Sequence, residues 1–231
     1  MRLRDLFVCS FVAVAPFVAN FDAQAGDELN SENGRWAYRT QLVLDGRSDK
    51  LNRMRLRVWD PHPDLDLEFY WEPTKGASLP ADGTVNGWGT LTWRSRGAPR
   101  YGTDGIYSSY RGQVADGRAH GVGRLTRSDG LVYEGDWVRG LFDGRGSATF
   151  ANGDQYDGDF AQGTPHGEGR YVRSDGEMFV GGFHKGKRHG KGKLSLPDGT
   201  SVVASWSHGI RGDARSAQWK PFGDGDEKVN L

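Results

Sequence analysis

YDGDFAQGTPHGEG, residues 156–169, sets four glycines (Gly158, Gly163, Gly167 and Gly169) around two aromatic residues, Tyr156 and Phe160. Two readings compete. Glycine-rich loops cradle phosphates, and glycine also permits backbone shapes and close approaches that a Cβ forbids. Repetition along the chain decides between them. Counting from Tyr110 in steps of 23, column one reads Tyr110, Tyr133, Tyr156, Phe179 and Val202. Column three reads Gly112, Gly135, Gly158, Gly181 and Ala204; column five reads Val114, Trp137, Phe160, Phe183 and Trp206. Column eight is Gly117, Gly140, Gly163, Gly186 and Gly209, and glycine recurs in columns twelve, fourteen and twenty-one of the four full units. A register this long at one period is a repeat architecture.

Each unit carries the signals of a β-hairpin. Tyr-x-Gly-x-Trp alternates with period two and puts columns one, three and five on one face of a strand. Gly-x-Gly-x-Ala-x-Phe, as in Gly144, Gly146, Ala148 and Phe150, does the same for a second strand. The pairs Asp129-Gly130, Asn152-Gly153, Asp175-Gly176 and Asp198-Gly199 are turn chemistry. A lone hairpin is marginal in water, so stability has to come from stacking on neighbours. The rings of Tyr133, Trp137, Tyr156, Phe160, Phe179, Phe183 and Trp206 are expected to settle on the bare glycine backbone of the adjoining unit, and are candidate stacking and interaction residues.

Tyr-x-Gly-x-(Trp/Phe) followed by Gly, His-Gly-x-Gly and Asp-Gly at this period resembles the MORN (membrane occupation and recognition nexus) repeat, here of an exported bacterial type. Residues 133–155, 156–178 and 179–201 carry the pattern best. The resemblance implies an all-β fold: an elongated single sheet of stacked antiparallel hairpins. It also implies scaffolding, in which members dimerise, bind helical partner segments, or lie near membranes and anionic lipids. The array is expected over 76–213. A degenerate unit at 76–98 places Gly83, Gly87 and Gly89 in columns eight, twelve and fourteen, an insertion precedes Tyr110, and a partial unit fills 202–213.

The flanks read differently. Arg2 and Arg4, an apolar run from Leu6 to Ala19, and Ala23-Gln24-Ala25 mark residues 1–25 as an export signal. Its cleavage removes Cys9, the only cysteine, and leaves a periplasmic or extracellular chain without disulfide, thiol nucleophile or transmembrane segment. Residues 26–75 are expected to form an N-terminal β cap. There Arg53, Arg55 and Arg57 alternate with Met54, Leu56 and Val58, and Asp64, Asp66 and Glu68 alternate with Leu65, Leu67 and Phe69. Folding 54–58 against 65–69 sets Arg57 opposite Asp66 and Arg55 opposite Glu68. Residues 214–231 form a polar tail with Trp219 and Phe222 as anchors.

Chemistry is sparse. The formal net charge is +0, which gives no push toward nucleic acid. Gly181, Gly186 and Lys187 match a phosphate-loop spacing, but Arg188 stands where a magnesium-binding Ser or Thr belongs. His120, His166 and His189 share column eleven, yet equivalent positions lie two strands, roughly 9–10 Å, apart. They read as turn residues rather than zinc ligands. His62, between two prolines, is the one candidate base of the N-terminal segment. No catalytic, cofactor or metal constellation is nominated. A basic cluster of Lys185, Lys187, Arg188, Lys191 and Lys193 is the candidate anion-binding site. The expected function is a non-catalytic exported scaffold that binds a protein partner or itself. Its alternative is recognition of anionic lipid headgroups or envelope glycan.

Overall fold

A computed structural model of the chain describes residues 34–45, 50–74, 82–99 and 102–212. The expected export signal and polar tail lie outside them. The described chain is all β, in two sheets. A two-stranded ribbon pairs β1 (Arg35–Asp45) with β2 (Lys50–Asp60). The remaining strands form one antiparallel sheet of twelve, each beside its sequence neighbours. Its first strands are β3 (Leu67–Pro73), β4 (Gly87–Ser95), β5 (Ile106–Ala115) and β6 (Arg118–Arg127). Then come β7 (Val132–Val138), β8 (Leu141–Thr149), β9 (Gln155–Ala161) and β10 (Thr164–Val172). It ends with β11 (Met178–His184), β12 (Lys187–Ser195), β13 (Ser201–Ser207) and β14 (Ile210–Arg211).

The glycine columns serve two distinct purposes. Columns three and fourteen pair with one another from strand to strand: Gly89 with Gly112, Gly112 with Gly123, Gly135 with Gly146, Gly158 with Gly169, Gly181 with Gly192. This glycine ladder runs unbroken from β4 to β12 and leaves a bare track for rings. Columns eight and twelve instead take left-handed backbone, as in Gly163 (φ 82°) and Gly167 (φ 58°). Gly163 completes a two-residue turn with both φ positive, the type that matches strand twist. Its first position is never glycine: Asp116, Arg139, Gln162, Lys185 and His208 all sit near φ 50°. Gly167 marks a β-bulge, where the β9–β10 register shifts between His166 and Gly169. The column-four carboxylate closes that bulge: Asp136 accepts from the Arg145 amide at 3.0 Å and Asp159 from the Glu168 amide at 3.3 Å.

The two-residue turns stitch the units along one edge. Gly140 N–H donates to the Ala119 carbonyl at 2.8 Å, Gly163 to Phe142 at 2.8 Å, and Gly186 to Pro165 at 2.9 Å. The stack starts at the ribbon, where Trp59 N–H donates to Gly117 and Arg57 N–H to Gly83. Leu56 and Val58 of β2 are buried there with Phe69, Trp71 and Val85. Gln41 covers the outer edge of β3 by donating to the Trp71 carbonyl (2.6 Å) and accepting from its amide (3.2 Å). That blunts an otherwise open strand edge.

Three expectations need correcting. β2 does not pair with 65–69: Arg57 lies opposite Tyr38 and Arg55 opposite Thr40, while Leu67 pairs with Ser95 and Glu68 with Arg94. Pro61 and Pro63 offer no amides to a ladder, and the acids find other partners, Asp66 with Arg96 (2.7 Å) and Glu68 with Arg39. The sheet also begins before residue 76. Trp71 faces Leu91 as Tyr110 faces Leu125, so β3 supplies column one of the first unit. Finally, each column-one ring lies over a glycine of its own hairpin, not of the adjoining copy: a Cβ on Gly146 would fall on the Tyr133 ring. The insertion before Tyr110 wraps around buried Arg94, whose guanidinium donates to the carbonyls of Pro99, Gly102 and Asp104.

Candidate interaction surface

The two faces of the sheet are chemically opposite. On the inner face, the candidate aromatics Tyr133, Trp137, Tyr156, Phe160, Phe179, Phe183 and Trp206 are 0–8% exposed. Their contacts run across unit boundaries. Column one of each unit meets column five of the next edge-to-face: Tyr110–Trp137 at 5.1 Å, Tyr133–Phe160 at 5.1 Å, Tyr156–Phe183 at 5.1 Å, and Phe179–Trp206 at 5.5 Å. Within units, Tyr133–Trp137, Tyr156–Phe160 and Phe179–Phe183 meet the same way at 5.0–5.3 Å. The result is one continuous herringbone, each link worth about 0.5–1.5 kcal/mol beyond burial. These rings stack on each other and leave nothing to offer a partner.

The outer face is polar and regular. Strand register sets Arg111, Arg124, Glu134, Ser147, Asp157, Arg170, Val180 and Lys193 side by side, one per strand, all exposed. Charge along this row is basic, then acidic, then basic. Its ion pairs, such as Arg124–Glu134 at 2.7 Å, are exposed and contribute at most about 1 kcal/mol each.

The basic cluster divides. Lys185, Lys187, Lys191 and Lys193 are exposed. Arg188 is buried, paired with Glu177, with its guanidinium 4.9 Å from the Phe179 ring centroid and 5.3 Å from that of Trp206. It belongs to the core of the β11–β12 hairpin and is lost to any external anion. A clue was present: column ten is Ala119, Phe142, Pro165 and Arg188, apolar in every other full unit.

The histidines also sit differently from expectation. His120, His166 and His189 lie in strands, not turns. The structure adds His184, from the intervening strand, and His208. Ring centroids are 4.9 Å apart for His166–His184, 5.7 Å for His184–His189 and 5.3 Å for His189–His208. Comparing only column eleven hides this, because column six of one unit abuts column eleven of the unit before. Among the described residues, no three His, Cys, Asp or Glu side chains are arranged to hold a metal ion.

The cluster has a pH consequence. Removal of its ring from water, and then the charges of His166, His189, Lys185 and His208, hold His184 below the ordinary histidine value of 6.5. Protonation is therefore harder in the folded chain than in the unfolded one. The unfolded state binds more protons as pH falls through that value, so stability declines with acidification. Urea midpoints measured from about pH 8 down to about pH 5 are expected to fall less steeply for His184→Gln than for the parent. Parallel declines would refute the coupling.

His62 lies edge-on to Tyr107 (5.5 Å) beside a 90 Å³ cavity lined also by Trp59, Trp93 and Trp137. That volume is well below the roughly 300–1,000 Å³ of small-molecule pockets. Among the described residues, no helix is long and apolar enough to cross a membrane. Comparison with curated proteins returns no match. The family model for the MORN repeat matches 110–132, 133–155, 156–178 and 179–201, the same four units that the turns and rings delimit. Residues 110–201 are four consecutive MORN repeats.

Proposed function

We propose that the protein is a non-catalytic scaffold, exported from the cytoplasm, whose repeat array holds a protein partner on its outer face. The observation that carries this is the division of labour between faces. The column-one and column-five rings of the repeats are spent on internal stacking, while the outer face keeps an evenly spaced row of mainly charged and polar side chains from Arg111 to Lys193. Such a surface suits recognition by charge pattern. MORN repeats as a class serve interaction rather than catalysis, in keeping with this reading. A photo-crosslinking residue placed at Ser147 on the outer face is expected to form an adduct with the partner in the exporting compartment. The same group at Ser174, on the turn edge, is expected to give none. Equal labelling at both positions, or labelling at Ser174 alone, would overturn the assignment.

The second reading, anionic headgroups or envelope glycan, is favoured by one observation. Lys185, Lys187, Lys191 and Lys193 are exposed on one hairpin and make no ion pair among the described residues. Lys187→Glu plus Lys191→Glu would abolish co-sedimentation with anionic vesicles under this reading and leave the Ser147 adduct unchanged.

A further inference from the structure

The outer side of the ribbon carries a surface that neither the core nor the repeats use. Arg53, Arg55 and Arg57 stand at alternate positions of β2 and share one face. Their expected partners at 64–68 are engaged elsewhere, since Asp66 is held by Arg96 and Glu68 by Arg39. Arg57 is itself occupied: Nε donates to Thr84 Oγ1 at 2.7 Å and Nη2 to Asp82 at 2.9 Å. Arg53 and Arg55 are exposed and have no carboxylate partner among the described residues. The Arg55 guanidinium lies 4.8 Å from the centroid of the Tyr38 ring, which is 54% exposed. Tyr38, Arg53, Arg55, Arg57, Asp82 and Gly83 together line an open depression of about 610 Å³.

Apolar side chains continue the same face toward the ribbon tip. Leu51 stands two residues before Arg53, Leu42 lies opposite Arg53, and Leu44 lies opposite Leu51. They are 65%, 59% and 47% exposed. Along β2 the face therefore reads cation, cation, apolar.

We infer that this face docks an extended peptide segment of a partner protein, with carboxylates at two alternate positions and an apolar residue two further along. The inference rests on the scaffold reading above and names a site and a partner chemistry for it. Alternate residues of an extended strand repeat every ~6.7 Å, whichever chain they belong to. An acid-x-acid-x-apolar segment thus meets Arg55, Arg53 and Leu51 in register. Each guanidinium offers a planar fork of donors to a carboxylate, a geometry lysine does not provide. Beyond Arg55, the Arg57 guanidinium is already held by Asp82 and Thr84. That limits the acidic stretch to two positions, and the apolar end at Leu51 sets its direction.

The test uses the full chain and a fluorescent synthetic peptide containing Glu-Ser-Glu-Ser-Leu, read by anisotropy at low salt. The control peptide has the same composition with its acids adjacent, Glu-Glu-Ser-Ser-Leu. The alternating peptide is expected to bind about tenfold or more tightly than the control. Arg53→Glu plus Arg55→Glu is expected to remove that preference, whereas Lys187→Glu plus Lys191→Glu leaves it intact. Both arginines are exposed, so folding should survive; Arg53→Gln plus Arg55→Gln gives the same reading if the charge reversal does not fold. Absence of binding, equal affinity for both peptides, or indifference to the arginine changes would overturn the site. A Ser147 adduct obtained alongside any of those results would leave the scaffold reading standing and discard only this surface.

Discussion

Gly146→Ala is expected to lower the free energy of unfolding by about 2–3 kcal/mol, a large penalty for one methyl group. The added Cβ would stand 2.5 Å from the Tyr133 hydroxyl oxygen, 2.6 Å from Cε2 and 2.7 Å from Cζ. The ring has nowhere to go. Tyr133 is fully buried, its hydroxyl donates to the Asp136 carbonyl at 2.8 Å, and it stacks on Phe142 at 3.7 Å. Trp137 and Phe160 close its edges at 5.2 and 5.1 Å. Moving the backbone instead would break the Gly135–Gly146 pairing and pull the β7–β8 hairpin apart. Urea denaturation of four chains checks this: parent, Gly146→Ala, Tyr133→Leu and the double variant. The alanine should cost markedly less when leucine replaces the ring, a coupling of the kind expected for residues in contact. Equal cost in both backgrounds would mean that the tyrosine is not what the methyl group meets.

That ring–glycine contact also marks where reading the sequence succeeds and where it stops. Period, alternation and turn pairs are local properties, and they placed every hairpin from Tyr110 to Ser201 in register. Which glycines are seats and which are pivots follows from strand pairing, and columns three and fourteen separate from eight and twelve only once the ladder is known. The N-terminal segment misled because its charges matched. Exposed Arg–acid pairs contribute about 0–1 kcal/mol each, so complementarity between 53–57 and 64–68 could not set the topology. Burial of Leu56, Val58, Phe69 and Trp71 is worth about 1.5–3 kcal/mol per side chain, and it sends β2 to the ribbon and β3 to the large sheet. Sequence showed which aromatics share a face but not that the face closes on itself, and that changed the candidate surface most. Arg188 went astray for a related reason. A cation among Lys185, Lys187 and Lys191 looks external until its column is compared with Phe142 and Pro165.

Trp137→Ala is expected to have the largest effect of any single change in the array, about 3–5 kcal/mol, and to alter the character of unfolding as well as its midpoint. The indole touches both sides of the first boundary between repeats: Tyr110 at 5.1 Å before it, Tyr133 at 5.2 Å and Phe142 at 4.7 Å after it. Its Nε1 also donates to the Gly123 carbonyl at 3.0 Å, a bond that Phe160 and Phe183 cannot make at their own boundaries. In a repeat array, stability is close to a sum of unit terms and nearest-neighbour interfaces. Deleting the strongest interface should uncouple what lies on either side of it. The ribbon with 110–132 would then unfold separately from 133–201, giving two transitions in urea where the parent gives one. Trp206→Ala provides the comparison. Trp206 sits at the last full boundary, meets the Phe179 ring edge-on at 5.5 Å, and its Nε1 has no partner among the described residues. Its loss should fray β13 and β14 and leave a single main transition. Amide hydrogen exchange resolves the two cases, because Trp137→Ala should lower protection on both β6 and β7, whereas Trp206→Ala should lower it only from β12 onward. A single transition for Trp137→Ala, shifted no further than that of Trp206→Ala, would show that the herringbone is cohesive enough to bypass one missing link.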